Sequence, residues 1–155
     1  MKTLILYATK YGAAREVAER IGKRIDGAKI LDLKSGEIPA LADFDCIIVG
    51  SSIYAGSILK EAKAFLAGNT DSLNGKIVGL FISGLSEGEA DNAFKANFPA
   101  SILDNAKAKV MPGGVFDPQK AGFVAKLVMK AVTKQSGYVN TINDEKIDKF
   151  VQELK

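Results

Sequence analysis

Three short stretches hold residues whose types and spacing suit binding chemistry. The first, ATKYGAAR at 8–15, leaves an apolar run and enters a helical pattern through Thr9, Lys10, Tyr11, Gly12, Ala13 and Ala14. Unpaired N–H groups at a helix start, with the positive end of the helix dipole, make a seat for a phosphate. Gly12 permits close backbone approach and an unusual φ, and the Thr9 hydroxyl offers one more donor. A plain strand-to-helix turn, with Gly12 present for geometry alone, accounts for the same residues.

The second stretch, GSSIYAGS at 50–57, sets Ser51, Ser52, Ala55 and Gly56 around the bulky Ile53 and Tyr54. It reads as a flexible loop against which a flat aromatic ligand could lie, since offset stacking adds roughly 0.5–1.5 kcal/mol beyond area burial. The simpler alternative is a half-buried loop tyrosine. The third, SGLSEGE at 83–89, carries Ser83, Gly84, Leu85, Ser86 and Glu87. Gly84 and Gly88 free backbone groups to meet polar ring edges, while capping of the next helix is the simpler role for Glu87 or Glu89.

Residue types exclude other chemistries. Histidine is absent, which removes imidazole bases, Ser-His-Asp and Cys-His triads and the usual zinc sites. The lone cysteine, Cys46, rules out an internal disulfide and a CxxC pair, and its mid-strand position predicts a buried core residue. Neither GxGxxG nor GxxxxGK(S/T) occurs, and Tyr7-Ala8-Thr9 offers no carboxylate to a phospho-receiver's magnesium. Any chemistry therefore comes from a bound cofactor.

The elements that must position these stretches are legible from periodicity. TLILYA (3–8), KILDL (29–33), FDCIIVG (44–50), KIVGLFIS (76–83) and AKVMPGGVF (108–116) read as strands. Near-continuous apolarity, as in Cys46 to Val49, marks strands covered on both faces. Helical spacing runs from Ala14 to Ile25, with Val17, Ala18, Ile21 and Ile25 on one face, then from Ile58 to Leu66 and from Gly88 to Phe98 before Pro99. A last helix starts at Asn143 or Asp144 and buries Ile147, Phe150, Val151 and Leu154, whereas KSGEIPALAD (34–43) is too short for a crossover helix. This alternation predicts an α/β doubly wound five-stranded parallel sheet of order 2-1-3-4-5, a three-layer sandwich with ligands outside the carboxyl ends of the first and third strands.

With 155 residues, 47% hydrophobic and 25% charged, a single domain over 1–155 is expected. No apolar run reaches the roughly 20 residues of a membrane span and no leader is evident, so a cytoplasmic location is expected. The net charge is +3, and between Lys107 and Tyr138 six lysines face one acid, Asp117.

The Thr-x-x-Gly loop, the Gly-Ser-rich loop bearing Tyr54 and the Gly-Leu-x-acid loop together resemble the flavodoxin family over nearly the whole chain. The resemblance implies FMN as cofactor and electron transfer as activity. It implies that Thr9 to Ala14 bind the phosphate, that Ser51 to Gly56 line one side of the ring and that Ser83 to Glu87 line the other. A backbone carbonyl near Gly56 is then expected to accept from N5–H of the ring. Flavodoxins usually carry Thr-x-Thr-Gly-x-Thr, whereas Tyr11 and Ala14 occupy the later hydroxyl positions here, which leaves more of the phosphate to Lys10 and backbone amides.

MKTLILYATKYGAAREVA, DCIIVGSSIYAG and GGVFDPQKAGFVAKLVMKAVTKQSG are similar to the quinone-dependent protoporphyrinogen dehydrogenase branch of that superfamily. This implies an alternative, an FMN-dependent oxidoreductase of haem biosynthesis. The chain is shorter after its fourth strand than enzymes of that branch, so carrier and enzyme both stay open. Residues 119–135, QKAGFVAKLVMKAVTKQ, are expected to add a helix whose stripe of Phe123, Val124, Leu127, Val128, Ala131 and Val132 runs beside Lys126, Lys130 and Lys134. Such a helix packs on its own domain or meets an anionic membrane peripherally. The expected partners are a redox protein or a small electron donor or acceptor such as a quinone, with no nucleic acid.

Overall fold

The structure is a computed structural model that describes residues 1–120, 122, 123, 127, 130 and 137–155. Its strands are β1 (Thr3–Ala8), β2 (Lys29–Asp32), β3 (Cys46–Tyr54), the short β4 (Ser57–Ile58), β5 (Ile77–Ser83) and β6 (Ala106–Gly113). The long strands lie in the order β2-β1-β3-β5-β6 with every pair parallel, and β4 turns back antiparallel on β3. Counting long strands alone, this is the expected 2-1-3-4-5. Because β1 has β2 on one side and β3 on the other, the chain reverses its progress across the sheet there, and the loops after β1 and β3 diverge.

Parallel neighbours need crossovers: α1 (Ala13–Gly22) joins β1 to β2, α2 (Lys60–Leu73) joins β4 to β5, α3 (Ala90–Asn97) and α4 (Ala100–Asn105) join β5 to β6, and α5 (Asp144–Leu154) closes the chain. Successive strand residues face opposite sides, and both sides are covered. Ile5, Ile48 and Phe81 meet Val17 and Ile21 of α1 and Ile147 and Phe150 of α5. Leu4, Leu6, Val49 and Leu80 meet Phe65 and Leu66 of α2, Phe94 of α3 and Ile102 of α4. Each fully buried large side chain stabilises the fold by about 1.5–3 kcal/mol, which is why these strands tolerate so few polar residues. The α1–α5 seam is closed by Arg20, 2.7 Å from Asp144, and by Arg24, 2.9 Å from Asp144 and also paired with Asp148.

Several boundaries differ from those expected. β3 continues to Tyr54, so most of the supposed 50–57 loop is strand, because a two-residue turn lets it fold directly onto β4. α2 runs on to Leu73, α1 stops at Gly22, and a further short helix, α4, follows Pro99. The single run at 108–116 is broken at Gly113, whose φ of +114° diverts the chain into a separate ribbon of β7 (Val115–Phe116) and β8 (Val139–Asn140). As expected, 34–43 forms no crossover helix, only 3₁₀ turns at Leu33–Ser35 and Leu41–Asp43. The helix expected over 119–135 falls largely on residues 121, 124–126, 128–129 and 131–135, which lie outside the described residues; of its apolar stripe, Phe123 and Leu127 are solvent-exposed. Among the described residues no helix is long and apolar enough to cross a membrane.

Candidate cofactor site at the carboxyl edge of the sheet

After β1 the chain turns through Thr9, Lys10 and Tyr11 to Gly12, the residue that caps α1 with φ +95°. That left-handed conformation costs an L-residue about 1–2 kcal/mol, which accounts for the glycine. No side chain caps the helix. The Thr9 hydroxyl accepts from the Gly12 N–H at 2.9 Å, and Ser52 Oγ on β3 accepts from the Ala14 N–H at 3.1 Å while lying 3.1 Å from Thr9 Oγ1. The Glu16 N–H reaches Gly12 O at 3.1 Å and starts the helical ladder. The Ala13 and Arg15 N–H groups have no acceptor among the described residues, so two donors and the positive end of the dipole are left facing outward.

Two lysines flank this turn. Lys34 Nζ donates to the Thr9 carbonyl at 2.7 Å and so places a charge beneath the loop. Lys10 Nζ stands 4.6 Å from the ring centroid of Tyr54 and 5.3 Å from that of Tyr11, tying the first loop to the second by contacts of about 0.5–1 kcal/mol each. In this arrangement Lys10 rests on aromatic faces.

In the second stretch Ser51 is buried, its hydroxyl donating to Ser52 O at 2.8 Å and accepting from the Leu59 N–H at 3.0 Å. Ala55 and Gly56 form the turn with φ of +49° and +78°, the two positive values of a type I′ hairpin. Ile53 fits against Gly84 so closely that a Cβ there would sit 2.6 Å from Ile53 Cγ2 and 2.7 Å from Met111 Cε. Glycine at 84 is therefore what lets the second and third stretches meet.

The third stretch is strapped from below. The Gly84 N–H and Ser83 Oγ both donate to Gly113 O, at 3.1 and 3.3 Å, while Thr141 and Gly114 exchange bonds of 2.9 and 3.1 Å. Leu85 is half-buried and Ser86 exposed. Glu87 does not cap α3: its carboxylate pairs with Lys146 of α5, and Glu89 at the cap position makes no side-chain cap bond. The charged partner draws Glu87 across the loop, which sequence spacing cannot show.

The structure thus brings all three stretches to one edge, joined at Ser52 and Lys10 and again at Ile53 and Gly84. Ser52, grouped by sequence with the ring-lining residues, belongs to the first turn as well. Lys34, Gly113 and Thr141 were missed by sequence reasoning; each makes its contact with a residue distant in the chain, without a local signal. An open cleft of about 690 Å³ runs along the outer flank of α1 between Arg15, Arg24 and Lys120 and adjoins the site at Gly12 and Arg15. Cys46 is fully buried in the core and its thiol is pushed up to about 11 by that burial, which makes it an inert packing residue as expected.

The fold and the three converging loops define a flavodoxin-like α/β protein. A model of the family described as flavodoxin domain matches residues 4–142, and the chain belongs to that family. Among solved structures, a flavodoxin of Streptococcus pneumoniae TIGR4 is similar at 18% identity, with 99% of this chain and 97% of that chain covered and a TM-score of 0.62. A Fusobacterium nucleatum flavodoxin bound to flavin mononucleotide is similar at 16% identity over 99% of this chain and 97% of that one, with a TM-score of 0.59. The two-electron reduced Megasphaera elsdenii flavodoxin is 20% identical over 70% of this chain and 84% of its own, with a TM-score of 0.57. A comparison with curated protein sequences returns no match.

Proposed function

We propose that this chain binds FMN at the carboxyl edge of its sheet and carries electrons between redox partners. The observation that carries this reading is the uncapped start of α1: the Ala13 and Arg15 N–H groups face outward beside Thr9 and Ser52, with Lys34 behind them. A single phosphoryl group is what that donor set fits. FMN supplies one- and two-electron chemistry when bound. The chain's own part is to hold the phosphate at 9–15, to offer the flat Tyr54 and the 55–56 turn to one side of the ring, and to present the main chain of 83–87 to the other. Membership of the flavodoxin family supports the same reading.

The redox partner, in this proposal, meets the excursion between Gly114 and Thr141, where Phe123, Leu127 and Tyr138 are exposed near Lys120 and Lys130 in the chain. An acidic protein surface, or a quinone held in an anionic membrane, would suit that chemistry. The alternative activity, oxidation of protoporphyrinogen, rests on the sequence resemblance alone, since the family match does not single out that branch.

Titration with FMN, riboflavin and FAD, followed by anaerobic reduction and mixing with a one-electron acceptor protein, tests the proposal. It predicts one FMN per chain, weaker binding of riboflavin, which lacks the phosphate, and electron transfer to the acceptor. No uptake of FMN would contradict it. Anaerobic mixing with protoporphyrinogen and a menaquinone analogue separates carrier from enzyme: sustained turnover establishes the oxidoreductase.

A further inference from the structure

We infer that Asn97, at the end of α3 and outside all three loops, is the positioning residue that fixes the direction of the Gly56 carbonyl and thereby sets how strongly the site prefers oxidised over reduced FMN. This rests on the FMN reading above. Asn97 is 8% exposed and its amide is used on both sides. Its Oδ1 accepts from the Ile58 N–H at 2.9 Å, and its Nδ2 donates to Gly56 O at 3.0 Å and to Ala93 O at 2.9 Å. One side chain therefore ties the helix end to the turn of the β3–β4 hairpin and to β4.

Little else restrains the hairpin tip. Ala55 and Gly56 are exposed, and a Cβ added at Gly56 would meet nothing within 4 Å. Ala55, a non-glycine residue at φ +49°, sits in a conformation that L-residues rarely adopt, so the turn has reason to leave it when a partner elsewhere is better. With Nδ2 bound, the Gly56 carbonyl is directed toward α3. Oxidised flavin has an unprotonated N5; two-electron reduction with proton uptake from water places a hydrogen there. A Gly56 carbonyl turned to that N–H gives up its bond to Asn97, so the latch opposes the reduced cofactor and leaves the oxidised one alone.

The test compares wild type with Asn97→Asp and Asn97→Ala. N97D keeps an acceptor for the Ile58 N–H and loses the donor to Gly56; N97A loses both. Each protein is titrated with oxidised FMN, and the potential of the bound cofactor is measured by anaerobic dithionite titration against reference dyes. The latch is present in both the free protein and the oxidised complex, so the Kd for oxidised FMN stays near wild type. Reduced FMN binds up to about tenfold tighter in both variants, the effect of one lost hydrogen bond, and a tenfold change raises a two-electron potential by about 30 mV. A structural role alone would weaken both redox states equally, and an unchanged or lowered potential overturns the inference. Should neither variant fold, the side-chain amide resonances of Asn97 in the wild-type protein decide: they shift on reduction if the latch opens, and unmoved resonances overturn it. Wild-type protein that takes up no FMN defeats the underlying reading and this one together, whereas normal uptake with unmoved potentials defeats this one alone.

Discussion

Ser52→Ala offers a sharp test of how the phosphate turn is built. Ser52 Oγ accepts from the Ala14 N–H at 3.1 Å and lies 3.1 Å from Thr9 Oγ1, so the substitution removes two hydrogen bonds and no packing of consequence. Net values of about 1 kcal/mol per bond, reduced because the serine is only half-buried and water can replace part of the loss, give about 1–2 kcal/mol. The free turn relaxes once the hydroxyl is gone and must be re-ordered by the ligand, so the loss falls on binding. FMN affinity should drop about 5- to 30-fold. Riboflavin, without a phosphate, should lose much less. Calorimetric titration of both ligands, with urea unfolding of the free protein as control, reads these quantities directly. FMN affinity equal to wild type, or equal losses for the two ligands, would refute the idea that Ser52 organises the phosphate turn.

Burial pushes the Cys46 thiol up to about 11 from an ordinary 9.0, so the folded state holds that proton more tightly than the unfolded chain. The associated stability is whole below pH 9 and is lost between 9 and 11, by about 1.4 kcal/mol per pH unit; urea unfolding of Cys46→Ala across this window should lack that part of the slope. Gly113→Ala would set a Cβ 2.3 Å from the Thr141 carbonyl at φ +114°. A loss of about 2–4 kcal/mol should appear in the urea midpoint. Asn143→Ala removes the cap of α5, where Oδ1 accepts from the Lys146 N–H at 3.2 Å; a drop of about 1 kcal/mol is expected from the same assay.

The sheet order was readable because strands buried on both faces leave nearly unbroken apolar runs, and because few topologies suit five such runs separated by helical patterns. Stops were harder. Nothing local distinguishes the loop expected at 50–57 from a strand with a tight hairpin, since Ala55 is not a residue that announces positive φ. The break at Gly113 depends on Thr141, a neighbour only in space. At the site, Gly12 and Thr9 stood out by type and spacing, whereas Lys34, Ser52 and Asn97 take their roles from partners 25, 38 and 41 residues away. Lys10 adds a contact that spacing does not display, its ammonium standing beside the Tyr11 and Tyr54 rings.

The most direct measurement is a titration of isotopically labelled protein with FMN, following backbone amide resonances. The account predicts that the largest shifts fall at 9–15, with Ala13 and Arg15 foremost, and at 51–58 and 83–87. Shifts confined to the outer flank of α1, around Arg24 and Lys120, or no shifts at all, would contradict it.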